Sequence, residues 1–173
     1  FLKQVWEFKP QYAALADEEA GKKIADQIPK GVRFAYGKQA AEDGVCYGDT
    51  AVVAATGFAG LRYSLRAIQE GKALALANKE TLVCGGELVM SKIKQAGVDL
   101  MPIDSEHSAL WQALGFKLDA PFKRLIITAS GGPFYGWSKE QLEKVTPASA
   151  LKHPTWQMGA KITIDSATLL NKG

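Results

Sequence analysis

The chain has 173 residues, 47% hydrophobic and 23% charged, with 21 Lys and Arg against 18 Asp and Glu for a net charge of +3. That is globular composition, and it excludes a disordered, collagenous or coiled-coil chain. The small, scattered positive charge excludes a nucleic-acid footprint, and no charge-free apolar run approaches the roughly 18 residues of a membrane span.

Taken in chain order, Leu2, Val5 and Trp6 share the spacing of a helix face already under way at the first residue. The opening, FLKQVWEFKP, does not read as a signal peptide. A strand is predicted over Tyr12–Ala16. Asp17-Glu18-Glu19 then opens a helix with acid in its first turn, and Ile24, Ala25 and Ile28 supply its apolar face. Strands follow at Val32–Tyr36 and Ala51–Ala55. Gly57 and Gly60 come next, in ATGFAGL, which lacks the full G-x-G-x-x-G spacing and marks close backbone approach instead. Leu61, Leu65 and Ile68 form a helix face that Gly71 ends. After a strand at Ala73–Ala77, the longest helix runs from about Thr81 to Ala96, with Gly97 as its stop. Further strands are predicted at Val98–Ile103, Leu125–Ala129 and Lys161–Asp165. Ser138 with Gln141 makes a weak capping box for a short helix through Val145.

The middle strands are nearly continuous apolar runs, as strands buried on both faces are. Their alternation with helices predicts an α/β fold built of right-handed βαβ units, a Rossmann-like and mostly parallel sheet. Texture changes after Ala129: residues 130–161 are rich in Gly, Pro, Trp and Ser. An α+β second domain with a long flexible loop is expected there, which divides the chain into residues 1–100 and 101–173. The mid-pattern opening and the stop at Asn171-Lys172-Gly173, a few residues into an apparent helix start, predict a piece of a longer protein. Two cysteines, Cys46 and Cys84, make no disulfide framework; they suit a reducing compartment and read as small core residues.

The densest polar cluster is Asp104-Ser105-Glu106-His107, directly after a predicted strand. Ligands gather at the carboxyl ends of strands in open α/β sheets. Two carboxylates there can turn toward one hard cation such as Mg²⁺ or Mn²⁺. Asp104 as a helix cap, aided by Glu106 near the helix dipole, explains the same residues; the two readings are compatible. Asn78-Lys79-Glu80 follows the strand Ala73–Ala77 as a polar site or as an ordinary strand-to-helix turn. Ser130-Gly131-Gly132-Pro133 is an anion nest or a plain turn. His153 and Trp156 sit in a Pro/Gly-framed loop, as a ligand-covering flap or as packing under the loop. Ser166, Asn171 and Lys172 offer hydroxyl, amide and ammonium, as a phosphate oxyanion needs or as a solvated helix end.

In series, ALANKETLV (75–83), PIDSEHSALWQAL (102–114), ITASGGPF (127–134) and HPTWQMGAKITIDSATLLNKG (153–173) resemble the 1-deoxy-D-xylulose 5-phosphate reductoisomerase family, and EFKPQYAALADEEA (7–20) resembles the interior of its cofactor domain. The resemblance implies a homodimeric, NADPH-dependent enzyme of the non-mevalonate isoprenoid route, in the bacterial cytoplasm or a plastid. It implies rearrangement and reduction of a small phosphorylated sugar to 2-C-methyl-D-erythritol 4-phosphate. It also implies one divalent cation (Mg²⁺, Mn²⁺ or Co²⁺), inhibition by fosmidomycin, and neither a nucleic-acid nor a membrane partner.

Carried over by residue, Asp104 and Glu106 match metal ligands, the third lying beyond Gly173. Lys79 and Ser105 match substrate contacts. Ser130, Ser166, Asn171 and Lys172 match the phosphate set, and His153 and Trp156 the flap. Asn78, Glu80 and Gly159 match positions near the nicotinamide. With the glycine-rich loop, the third carboxylate and the C-terminal domain outside it, the isolated chain is expected to be inactive. A nonenzymatic binding module on this fold, or another Rossmann-type reductase, are the competing readings.

Overall fold

The computed structural model describes residues 1–117, 119–126, 128 and 131–170. The chain forms two compact units, Phe1–Ala113 and Leu114–Gly173.

In the first unit, helix α1 (Leu2–Phe8) leads into strand β1 (Tyr12–Leu15), helix α2 (Glu18–Ile24) and strand β2 (Arg33–Tyr36). Asp17 caps α2 by accepting the Ala20 N–H at 3.0 Å. Strands β1 and β2 pair in parallel, Tyr12 opposite Arg33. Helix α3 (Lys38–Asp43) follows. A second sheet then holds β3 (Thr50–Val53), β4 (Ala73–Leu76) and β5 (Leu100–Pro102) in that order, all parallel. Helices α4 (Ala59–Gln69) and α5 (Glu80–Ala96) make the crossovers. Gly71 and Gly97 take positive φ of 66° and 64° just past those helices, where a side chain would be strained. The core joins Ala51 and Val53 of β3 and Leu74 and Leu76 of β4 to Leu61, Ala67 and Ile68 of α4 and Val89 and Ile93 of α5. The parallel α/β layer agrees with the sequence expectation, with strand limits shifted by a residue or two.

Three expectations fail. Lys161–Asp165 is not a strand but part of helix α9 (Ala160–Thr168). Its alternation of Ile162 and Ile164 with polar residues mimics a strand period. The helix instead buries Thr163, Asp165 and Ser166 and leaves Ile164 exposed. Two of those polar groups are satisfied locally: the Thr163 hydroxyl donates to the Gly159 carbonyl at 2.9 Å, and Lys161 Nζ lies 2.7 Å from Asp165 Oδ2. Cys84 is exposed rather than in the core, and Cys46 is half-buried, its Sγ 3.7 Å from Arg66 Nη2. The predicted strand 125–129 falls partly outside the described residues; Leu125, Ile126 and Thr128 are in no strand.

Helix α6 (Ser105–Ala113) closes the first unit. In the second unit, α7 (Lys139–Leu142) carries the expected box, Ser138 N–H donating to Gln141 Oε1 at 2.7 Å and Gln141 N–H to Ser138 Oγ at 3.4 Å. Helix α8 (Pro147–Ala150) has a second box, Thr146 with Ser149, and a proline in its first turn. No helix of the described residues is long and apolar enough to cross a membrane.

Candidate active site

Because β3, β4 and β5 are parallel neighbours, their carboxyl ends share one edge of the sheet. The segments leaving that edge are residues 54–57, 77–79 and 103–104, so the topology itself gathers two of the polar clusters seen in the sequence.

Asn78 is the brace of that edge. Only 2% exposed, it shares the two hydrogens of Nδ2 among three acceptors, the Ala55 carbonyl at 2.6 Å, the Gly57 carbonyl at 3.0 Å and Glu80 Oε2 at 3.0 Å. Its Oδ1 accepts the Thr81 N–H at 3.0 Å and the Thr81 hydroxyl at 2.6 Å. One amide thus caps the start of α5, ties the β3–α4 loop to the β4–α5 loop and orients the Glu80 carboxylate. Gly60 lies so close that a Cβ there would stand 2.2 Å from Asn78 Oδ1.

The neighbouring residue, Lys79, reaches the end of the next strand. Its ammonium donates to Asp104 Oδ2, the two side chains being 19% and 15% exposed. The other oxygen, Oδ1, lies 3.6 Å from His107 Nδ1. Burial pushes the Asp104 carboxyl up. The Lys79 hydrogen bond and charge, helped by Glu106 and His107, outweigh that and hold it below its ordinary value. Asp104 is therefore an anion at neutral pH. Its backbone carbonyl accepts the Ser108 N–H at 2.8 Å, so it also starts α6. The cap position and the charged site coincide in one residue. Ser105 is exposed and Glu106 half-buried on the first turn of α6.

Among the described residues no three His, Cys, Asp or Glu side chains gather into a metal-ligand group. Asp104 and Glu106 fit part of a hard-cation site: both are oxygen donors, and Asp104 is ionised and largely withdrawn from water.

In the second unit Ser166 is buried on α9, and the Gly131-Gly132 turn packs against it. A Cβ on Gly132, at φ 61°, would lie 2.8 Å from the Ser166 carbonyl oxygen. Gly159 stands just before α9, its carbonyl accepting the Thr163 N–H at 3.1 Å. His153 organises its own loop: Nδ1 accepts the N–H groups of Thr155 at 3.1 Å and Trp156 at 3.0 Å. A nitrogen that accepts twice carries no proton, so a neutral ring bears its hydrogen on Nε2. Trp156 is 60% exposed. The expected result of His153→Ala is amide exchange at Thr155 and Trp156 faster by about tenfold, matching the ~1.4 kcal/mol of the lost acceptor. His153→Asn, which keeps an acceptor, should restore part of the protection; unchanged exchange in His153→Ala would show that the turn does not depend on the ring.

The structure therefore brings Asn78, Lys79, Glu80, Asp104, Ser105 and Glu106 to one edge of a sheet in the first unit. It places His153, Trp156, Gly159 and Ser166 in the second. Ser130, Asn171 and Lys172 lie outside the described residues. Sequence reading placed His107 in the cluster after β5 but gave it no role; its position three residues after Asp104, one helical turn on, was the available signal for the pairing.

Comparison with known proteins covers both units. The family described as 1-deoxy-D-xylulose 5-phosphate reductoisomerase matches residues 1–86, and the description of its C-terminal domain matches residues 100–173. The reductoisomerase of Thermoanaerobacter pseudethanolicus is 49% identical over 172 residues, which is 99% of this chain and 45% of that protein. That of Ruminiclostridium cellulolyticum is 46% identical over 174 residues, 99% of this chain and 46% of the relative. The chain thus spans a little under half the length of these curated relatives.

Among solved structures, the Zymomonas mobilis reductoisomerase in complex with NADPH aligns with a TM-score of 0.87 at 37% identity, over 99% of this chain and 44% of that one. A DOX-P reductoisomerase in complex with NADPH, fosmidomycin and magnesium aligns with a TM-score of 0.86 at 35% identity, over 99% of this chain and 45% of that one. With both halves matched and the parallel α/β layer shared, the chain belongs to the 1-deoxy-D-xylulose 5-phosphate reductoisomerase family.

Proposed function

We propose that the protein carrying this chain is an NADPH-dependent reductoisomerase that converts 1-deoxy-D-xylulose 5-phosphate to 2-C-methyl-D-erythritol 4-phosphate. The observation that carries this reading is the Lys79–Asp104 pair across the carboxyl ends of β4 and β5, with Glu106 beside it on α6. Residues 1–100 belong on this reading to the NADPH domain and residues 101–173 to the catalytic domain of a homodimer, placed in the bacterial cytoplasm or a plastid.

Asp104 and Glu106 hold a divalent cation, Mg²⁺, Mn²⁺ or Co²⁺. When bound, such a cation would supply a positive charge that polarises the substrate's carbonyl and hydroxyl oxygens, and bound NADPH would supply the hydride for the reduction. Lys79 and Ser105 contact the reacting end of the sugar. Ser130, Ser166, Asn171 and Lys172 take its phosphate, and His153 and Trp156 close over it, excluding water. Asn78, Glu80 and Gly159 border the nicotinamide, and Asn78 does so through its brace of two loops and of Glu80.

The phosphate is remote from the reacting carbons, so its binding energy serves orientation and closure. Lys172→Ala in the complete enzyme should raise KM by tenfold or more, since a charge-assisted hydrogen bond contributes ~1.5–3 kcal/mol. Metal affinity without substrate should stay unchanged. Steady-state kinetics with a metal titration checks this: an unchanged KM, or metal binding lost with Lys172, would place that residue outside the phosphate set.

A further inference from the structure

One carboxylate at the sheet edge has two claimants. The Lys79 ammonium donates to Asp104 Oδ2, and both side chains are mostly shielded from water. The proposal below rests on Asp104 being a metal ligand. We propose that Lys79 is a displaceable placeholder: its ammonium holds the Asp104 carboxylate while the cation site is empty and yields it to the arriving metal, so that Lys79 sets the affinity of the site and is freed toward substrate only afterward.

The physics of the pair leads there. An ionised carboxylate largely withdrawn from water needs a compensating charge, and among the described residues Lys79 is the cation that touches it. His107 stands farther off, at 3.6 Å from the other oxygen, and is itself half exposed. A divalent cation on Oδ2 would share that oxygen with an ammonium, and at a few ångströms in a part-buried site the two repel strongly. One must leave. Lysine suits leaving, being a single point charge on a flexible four-carbon stem; an arginine would grip both oxygens in a fixed fork. The residue beside it is anchored: the Asn78 side chain is held by Ala55, Gly57, Glu80 and Thr81, so the Lys79 side chain can move without its backbone. The exchange conserves charge compensation at Asp104 throughout, and it keeps the carboxylate ionised and in place between turnovers. An order follows, metal first and the anionic substrate second, because the ammonium becomes available to substrate oxygens only when the metal has replaced it.

The test is Mn²⁺ binding to the full-length protein without substrate, read by electron paramagnetic resonance of free Mn²⁺ for wild type, Lys79→Met, Lys79→Arg and Asp104→Asn. Lys79→Met, which keeps the stem and removes the competitor, should bind Mn²⁺ about tenfold more tightly or better; Lys79→Arg should bind more weakly than wild type. Equal or weaker binding by Lys79→Met overturns the proposal. If wild type and Asp104→Asn bind alike, the underlying assignment of Asp104 as a ligand has failed instead, and the proposal falls with it. A second readout needs no methionine variant: in protein labelled with ¹³C at lysine Cε, the Lys79 resonance, identified by its absence from Lys79→Arg, should shift as Mg²⁺ is added. A Lys79 signal that stays fixed while Mg²⁺ binds contradicts displacement.

Discussion

Asn78→Ala is expected to destabilise the first unit by about 1–3 kcal/mol, a sizeable fraction of the 5–15 kcal/mol typical of a domain. The side chain is buried and makes five hydrogen-bond contacts at 2.6–3.0 Å. Its loss leaves the Ala55 carbonyl without this partner and takes one of two from the Gly57 carbonyl and the Thr81 N–H, which keep backbone bonds to the Gly60 N–H and the Asn78 carbonyl at 3.3 Å each, and a buried polar group left unpaired costs about 1–3 kcal/mol. Loop relaxation and entering water recover part of that cost. Gly60→Ala attacks the same brace from the other side, because its Cβ would lie 2.2 Å from Asn78 Oδ1 and 2.9 Å from Asn78 Cβ; overpacking of that kind costs about 1–3 kcal/mol. The two share one network, so the double variant should lose less than the sum of the singles. Urea denaturation of the four proteins measures all of this. A cost below about 1 kcal/mol for Asn78→Ala would show that the two loops are held by something else.

Asp104→Asn in the complete enzyme is expected to lower turnover by about a hundredfold or more, since a cation that polarises reacting oxygens is worth several kcal/mol and each 1.4 kcal/mol is tenfold. Metal affinity should fall with it. The substitution keeps the shape and the backbone carbonyl that starts α6, so the fold should survive. It removes the charge that Lys79 compensates, leaving that ammonium part-buried and unopposed. Titration with Mn²⁺ separates the two roles that Asp104 combines. Unchanged affinity and rate would leave it only the helix start.

Much of the first unit was readable because its signals are local. Strands β3 and β4 are apolar runs, Asp17 caps α2 as its sequence suggests, and Gly71 and Gly97 end α4 and α5 where positive φ is needed. The second unit misled where the period of its side chains did. Ile162 and Ile164 alternate like a strand, yet α9 buries Thr163, Asp165 and Ser166, with Gly132 packed directly on its backbone at Ser166.

At the site, the sequence named clusters and the fold supplied partners. Lys79 and Asp104 stand 25 positions apart, and only the placement of β4 beside β5 brings them together. Asn78 looks in sequence like one more polar residue at a strand end. Its burial follows from lying between two loops that a linear reading cannot juxtapose. Polar type and position at a strand end were legible; which of them pair with each other was not.

The central claim is that this sheet edge belongs to a metal-dependent reductoisomerase rather than to a binding module. The most direct measurement is the decay of NADPH absorbance by the complete protein supplied with 1-deoxy-D-xylulose 5-phosphate and Mg²⁺ or Mn²⁺. The account predicts NADPH oxidation that requires the sugar phosphate, stops on chelation of the metal, resumes when metal is restored, and is blocked by fosmidomycin. Protein that is folded and binds NADPH and metal, yet oxidises no NADPH with this substrate, would contradict it.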